Sequence, residues 1–168
     1  YYVDDMGKQV GVLAWALENL SDEEVEYILQ DQEGVNVKWL DKKDHVTVRY
    51  YQAAQLLRKQ SENSDIEEEI GRLVHASENG DNTVLDQFEK AYKPVLNGML
   101  ETLSRLGISF DTFTRESKFV VDGTVSALMD EFESLDIHGV AENGAHYLDL
   151  GQRGLKGKTE FYYRRSDG

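Results

Sequence analysis

Through the first two thirds of the chain, hydrophobic positions recur every three to four residues, the spacing that places side chains on one face of an α-helix. After Met6 the residues Val10, Leu13, Ala14 and Leu17 follow this rule behind Asp5, an acidic residue suited to capping the helix. Ser21 with Glu24 three residues later has the form of a capping box, and Val25, Ile28 and Leu29 continue from it on one face. A Gly34-Val-Asn loop follows. From Asp44 to about Glu62, Val48, Tyr51, Leu56 and Leu57 predict a third helix, whose first turn is weakened by β-branched Val46, Thr47 and Val48. Ser64 opens a fourth that ends near Asn79-Gly80. From Asn82, apolar residues from Val84 to Leu103 describe a long amphipathic helix that stops at Gly107. Pro94, the only proline, is expected to kink or split it, because it lacks a backbone donor and crowds the preceding turn.

Beyond Gly107 the period changes. Ile108-Ser-Phe110 reads as a short strand, and a helix is expected from about Asp122 to Glu133 with Val125, Leu128, Met129 and Phe132 facing inward. Residues Ile137–Glu142 and Ala145–Leu150 flank Asn143-Gly144, a dipeptide that suits the positive φ angles of a type I′ hairpin turn. Gly151–Gly157 is a loop, and Thr159–Arg165 a third strand, expected to pair with Ala145–Leu150 and to fray beyond Ser166. The fold class is therefore α/β, reading as α+β within this chain. Residues 1–107 form a mainly helical part and 108–168 a strand, helix and hairpin part, with a small antiparallel sheet near the C-terminus.

Composition narrows the function. With 168 residues, 40% hydrophobic and 30% charged, the chain is sized for a single domain over 1–168. No apolar run is long enough to span a membrane. The first residues lack an initiator Met and a signal-peptide pattern, which suggests a piece cut from something longer. Zero Cys excludes disulfides and thiol chemistry and fits a cytoplasmic protein. The net charge is −14, from 32 acidic and 18 basic residues, which argues against a general nucleic-acid binder. The stretch from Gly151 onward runs the other way, with Arg153, Lys156, Lys158, Arg164 and Arg165 against Glu160 and Asp167. Any phosphate contact is expected there.

The candidate chemistry is sparse. His45, His75, His138 and His146 show no metal-ligand spacing, and no metal site is expected. His138 and His146 face each other across the predicted hairpin as a cross-strand pair. Gly151-Gln-Arg-Gly-Leu-Lys-Gly resembles a phosphate-cradling loop but lacks the spacing and the following helix, so a plain turn is the better reading. Glu116-Ser117 lies between a strand and a helix candidate. Its carboxylate can recognise a cation through a bidentate pair, cap a helix or be a plain surface charge, and the local sequence favours the last two. Asp4, Asp5 and Gln9 carry the same ambiguity, with a capped helix start as the default.

Three stretches together carry a resemblance. Tyr1-Tyr-Val-Asp-Asp-Met-Gly-Lys-Gln resembles the segment of archaeal-type arginyl-tRNA synthetases that reads roughly YYVNDxGRQ. Phe110-Asp-Thr-Phe-Thr-Arg-Glu-Ser is similar to that family's FDxxxxES stretch, and Arg164-Arg-Ser-Asp-Gly168 to its RRSDGT. The matches keep the family's order and span the chain. The resemblance implies a class I enzyme with a Rossmann catalytic domain that activates L-arginine with ATP, with Mg2+ expected, and transfers it to tRNA(Arg). It implies that Glu116 and Ser117 help hold the substrate guanidinium, that Asp5, Gly7 and Gln9 line the arginine pocket, and that Arg164 and Arg165 lie near the tRNA. Asp4 stands where many relatives have Asn. The ATP-cradling HIGH and KMSKS signatures are absent, so no catalytic residue is assigned and the chain alone is expected to be inactive and to bind no cofactor. It is expected to be an internal piece of the catalytic domain, including the connective insertion, and to self-associate through exposed strand edges. The rival reading is a stand-alone acidic helical interaction domain; a small metal-dependent hydrolase is a weaker third.

Overall fold

In the computed structural model, which describes residues 1–30, 42–59 and 64–166, seven consecutive residues of α1 (Gly7–Asn19), from Val10 to Ala16, are buried. A helix with one polar face cannot bury seven in a row, so α1 must be covered from several sides. The cover comes from α3 (Lys43–Lys59), α4 (Ser64–Glu78) and α5 (Asn82–Arg105). Val10, Leu13 and Ala14 pack with Phe88 and Ala91 of α5, whereas Val12, Trp15 and Ala16 pack with Ala54 of α3 and Ile70 of α4. The expected face is therefore half of the buried surface, and Leu17, assigned to it, is 37% exposed. Gly11 is needed for the approach of α4, since a Cβ there would lie 2.8 Å from Val74 Cγ2.

The capping box forms as expected at α2 (Asp22–Leu29): the Ser21 hydroxyl accepts from the Glu24 N–H, and the Ser21 N–H donates to the Glu24 carboxylate at 2.8 Å. Val25 and Leu29 pack on Ala53 of α3. The Gly34-Val-Asn loop and the expected end of α3 at Glu62 lie outside the described residues. Within α3 the buried set includes Asp44, Thr47 and Arg49, which a hydrophobic-periodicity reading misses. Arg49 is paired with Glu26 at 2.6 Å. The Lys42 Nζ donates to Asp44 Oδ2, Gly98 O and Thr102 Oγ1 at 2.9, 2.9 and 2.8 Å, tying the entry of α3 to α5. Asp44 lies where a Cβ on Gly98 would be, its Cγ only 2.1 Å from that position.

Pro94 does not split α5. The helix runs through it without interruption from a cap at Asp81, whose carboxylate accepts from the Thr83 and Val84 N–H groups. The strand expected at Ile108–Phe110 does not form. The strand of this region is β2 (Thr114–Arg115), paired in parallel with β1 (Tyr2–Val3). These elements belong to one compact unit, Tyr1–Lys118; Phe119–Gly168 forms another.

α6 (Ser117–Val121) is followed by α7 (Thr124–Glu133), with Gly123 at φ +78° as its cap residue. Of the side chains expected to face inward from α7, Leu128 is 46% exposed and the others are at most half-buried. Phe132 meets the Tyr163 ring edge-on at 5.2 Å. The chain then forms a three-stranded antiparallel sheet in the order β3 (His138–Val140), β4 (His146–Asp149), β5 (Glu160–Arg164). The β4–β5 pairing is the expected one, with an irregularity between His146 and Tyr147. The hairpin turn is not type I′. Gly144 N–H donates to Ala141 O, so Glu142 and Asn143 are the central pair and Gly144, at φ +87°, follows in the left-handed region. That is the three-residue hairpin loop with a glycine bulge. Gly139 on β3 leaves space for the Tyr147 ring, whose Cζ is 2.5 Å from where a Cβ would sit. Leu150–Arg153 is a short 3₁₀ turn. The fold is thus helix-rich with a small antiparallel three-stranded sheet.

Candidate functional site

In a parallel pair both strands run the same way, so the residues that follow each strand emerge side by side. Asp4 and Asp5 follow β1, and Glu116 and Ser117 follow β2. The ladder is extended by Thr114 N–H to Tyr1 O at 2.9 Å and Glu116 N–H to Val3 O at 3.0 Å. Residues separated by 112 positions in the sequence are thereby brought into contact.

Asp5 is 4% exposed and does not cap α1, contrary to the default reading of the sequence; Met6 occupies the cap position without a side-chain bond. The Asp5 carboxylate instead accepts from Ser117 N–H at 2.9 Å through Oδ1 and from Ser117 Oγ–H at 2.6 Å through Oδ2. Ser117 is itself buried. Both Asp5 oxygens are therefore engaged inside the protein.

Glu116 and Asp4 are placed differently. Glu116 is half-buried and Asp4 exposed. Burial raises the Glu116 carboxyl above the ordinary value, and the Asp4 charge, a hydrogen bond with Asp4 and the Asp5 charge push it the same way. Carboxylates this close disfavour joint ionisation, and either a shared proton or a cation relieves them. The Tyr2 phenol is raised by burial and then by the charges of Glu116, Asp4 and Asp5. Tyr92 of α5 is raised by burial and then by Asp5. Arg115 turns away to Glu89, with Nη1 2.8 Å from Oε2, so the nearest guanidinium in sequence is already paired. Gln9 is exposed on the first turn of α1, and Gly7 enters that helix at φ +85°, where an L side chain is strained.

A second cluster lies in the Phe119–Gly168 unit. His138 Nε2 and His146 Nδ1 are 3.3 Å apart, diagonal neighbours across the hairpin, as their spacing suggested. Sequence reasoning missed the carboxylate: Glu133 Oε1 at the end of α7 is 3.3 Å from His146 Nδ1 and 2.7 Å from Arg164 Nη1. No local spacing signals it, because Glu133 is thirteen residues from His146 along the chain. Arg164 is thus tied to α7, while Arg165 is exposed and lines an open cleft of about 550 Å3 with Asn143, Tyr162 and Ser166. The glycine-rich loop is a plain turn: Gly151 N–H goes to Asp149 Oδ1, Gly154 N–H to Gly151 O and Leu155 N–H to Leu150 O. Among the described residues, no group of three or more His, Asp and Glu side chains is placed to hold a metal ion. No helix among them is long and apolar enough to cross a membrane.

No protein-family model matches the chain. Curated relatives do. The chain aligns with the arginine–tRNA ligase of Methanothermobacter thermautotrophicus at 37% identity over 169 residues, covering 100% of this chain and 27% of that protein. It aligns with the arginine–tRNA ligase of Methanocella arvoryzae at 33% identity, covering 100% of this chain and 27% of that protein. The arginine–tRNA ligase of Methanothrix thermoacetophila matches at 30% identity, again over 100% of this chain and over 26% of its own length. The chain spans about a quarter of the length of the curated relatives it matches.

Proposed function

Starting from the homology of the whole chain to part of archaeal arginine–tRNA ligases, we propose that it is a segment of such an enzyme and that the acidic residues after β1 and β2 form its arginine pocket. In this reading Glu116 and Asp4 receive the substrate guanidinium, whose planar fork of N–H donors suits two carboxylates. Gln9, exposed on the first turn of α1, is proposed to join them, with Asp5 and Ser117 as supports. The single observation that carries the reading is the apposition of Asp4 and Glu116 at the carboxyl ends of two parallel strands, where α/β proteins place their ligands. A parallel pair two residues long is too short to stand alone, and parallel strands occur in larger covered sheets. Both points support a Rossmann origin for β1 and β2.

The proposed reaction of the whole enzyme has two steps. The arginine carboxylate attacks the α-phosphate of ATP, pyrophosphate leaves, and the arginyl group passes to the terminal adenosine of tRNA(Arg). Glu116 contributes specificity, because a neutral analogue would leave a half-buried carboxylate without its cation. The positive stretch ending in Arg164 and Arg165 is proposed to lie near the tRNA backbone. The HIGH and KMSKS signatures that cradle ATP and Mg2+ would come from outside this chain, in a cytoplasmic enzyme of translation. The test is titration of the 168-residue chain with L-arginine and with citrulline, its neutral isostere, followed by NMR. Arginine is expected to shift the Asp4 and Glu116 resonances and citrulline to leave them unmoved. Equal responses, or none, would defeat the reading, and so would arginine-dependent pyrophosphate exchange by the chain alone defeat the assignment of ATP binding elsewhere.

A further inference from the structure

Each Asp5 carboxylate oxygen accepts from one residue, Ser117, through a main-chain and a side-chain donor at 2.9 and 2.6 Å, and both residues are buried. A pair of parallel hydrogen bonds fixes relative orientation as well as distance, as two-point contacts do. The residues they join each carry a neighbour of different character: Asp4, exposed, precedes Asp5, and Glu116, half-buried, precedes Ser117. Asp4 and Glu116 come next in the register after Val3 and Arg115, which places them side by side. With β1 and β2 in register before them, the backbones of Asp4 and Glu116 cannot separate without breaking the clamp or the ladder.

We infer that Asp5 and Ser117 are positioning residues whose paired hydrogen bonds hold Asp4 and Glu116 together, so that the two carboxylates select a planar cation with several N–H donors, a guanidinium, over a compact ammonium. The inference rests on the arginine-pocket reading and reassigns Asp5 within it, from a contact with substrate to a support for two residues that make one. An ammonium has three donors diverging from one atom, while a guanidinium presents parallel donors to two acceptors held at fixed separation. Relaxing the separation removes that advantage. The other ionisable groups facing the site, Tyr2, Tyr92 and Arg115, stand on β1, α5 and β2 and are left unchanged by a substitution at Ser117.

The experiment follows the Glu116 side-chain carboxyl by NMR through a pH titration of the 168-residue chain, with and without arginine or lysine. In the unaltered chain Glu116 is expected to titrate above an ordinary glutamate, and Ser117→Ala to lower its midpoint by about half a pH unit or more as the carboxylates separate. Arginine affinity is expected to fall about tenfold in the same variant, toward that of lysine. Ser117→Thr, which keeps both donors, is expected to restore both properties. A folded Ser117→Ala chain with an unmoved Glu116 midpoint and unchanged arginine preference overturns the clamp while leaving the arginine pocket standing. Conversely, a moved midpoint without arginine binding to the unaltered chain sustains the clamp and sinks the pocket. Should the variants fail to fold, amide exchange in the unaltered chain decides. Ser117 N–H is expected to be strongly protected, and exchange at the rate of an open loop overturns the inference.

Discussion

In Tyr1–Lys118, apolar side chains of α3, α4 and α5 close around α1, leaving Val12, Ala16, Ile70 and Phe88 fully buried. In Phe119–Gly168 the apolar residues are distributed otherwise: α7 has no buried residue, the buried hydrophobics are Ile137, Ala145 and Leu148, and Val121, Val140 and Phe161 are each more than half exposed. The periodic patterns of the two regions look alike in sequence, so periodicity reports amphipathicity and not the presence of a layer to receive the apolar face. The first unit contains its own core. The second is about as small as independent domains become.

The contrast is most open to attack at Phe88. Phe88→Ala leaves a cavity against Val10, Leu13 and Ala14 and is expected to cost about 3–5 kcal/mol, read by urea denaturation, with amide protection lost throughout α1. A loss of protection confined to α7 and β3–β5 would show that the two regions do not differ as described. Gly98→Ala comes next. Alanine ordinarily favours a helix, but here the new methyl meets Asp44, so the change is expected to destabilise by about 1–3 kcal/mol. A gain in stability there would mean that the α3–α5 contact is looser than the Lys42–Asp44–Gly98 geometry requires.

The smallest effect has the opposite sign. Because Glu116 is raised in the folded chain, the stability tied to its protonated form is complete below the ordinary glutamate value of 4.5 and is lost as pH rises through the raised one. Near neutral pH the ionised Glu116 therefore weakens the fold. Glu116→Gln is expected to stabilise the first unit by a few tenths of a kcal/mol at pH 7, solvent screening keeping the gain small. The advantage should vanish near pH 4, and thermal melts at the two pH values read the difference. A site residue that costs stability would set the acidic corner apart from the helical core beside it.

Much of this was legible in the sequence. The α2 capping box, the amphipathic α5 and the β4–β5 pairing rest on local chemistry that adjacent residues declare. α1 was found but its burial was halved, because a search for one apolar face does not anticipate a helix covered by three others. β2 was missed because Thr114-Arg115 has no alternating apolar pattern and owes its conformation to Tyr2-Val3 at the far end of the chain. The same distance hid the role of Asp5. Its sequence context fits a cap for α1, and nothing near it names Ser117 as the partner. The burial of Asp44 and Arg49 on α3 escapes an apolar-periodicity reading, because their partners Gly98 and Glu26 lie far off in the sequence. The resemblance to a known family drew attention to Glu116 where local sequence preferred a cap or a surface charge.

The parallel pairing of β1 with β2 also has a history in time. Asp4 and Asp5 are made early and Ser117 is made 112 residues later, an interval on the order of ten seconds at ordinary rates of synthesis. Throughout it Asp5 has no Ser117 to accept from, and the helices must form and enclose α1 while the acidic corner has only one of its sides. Closing so long a loop is slow and costs entropy that short-range contacts avoid. The corner that distinguishes one cation from another is therefore expected to be the last part of the first unit to exist during synthesis, and among the first to come apart when the chain is pulled from its ends.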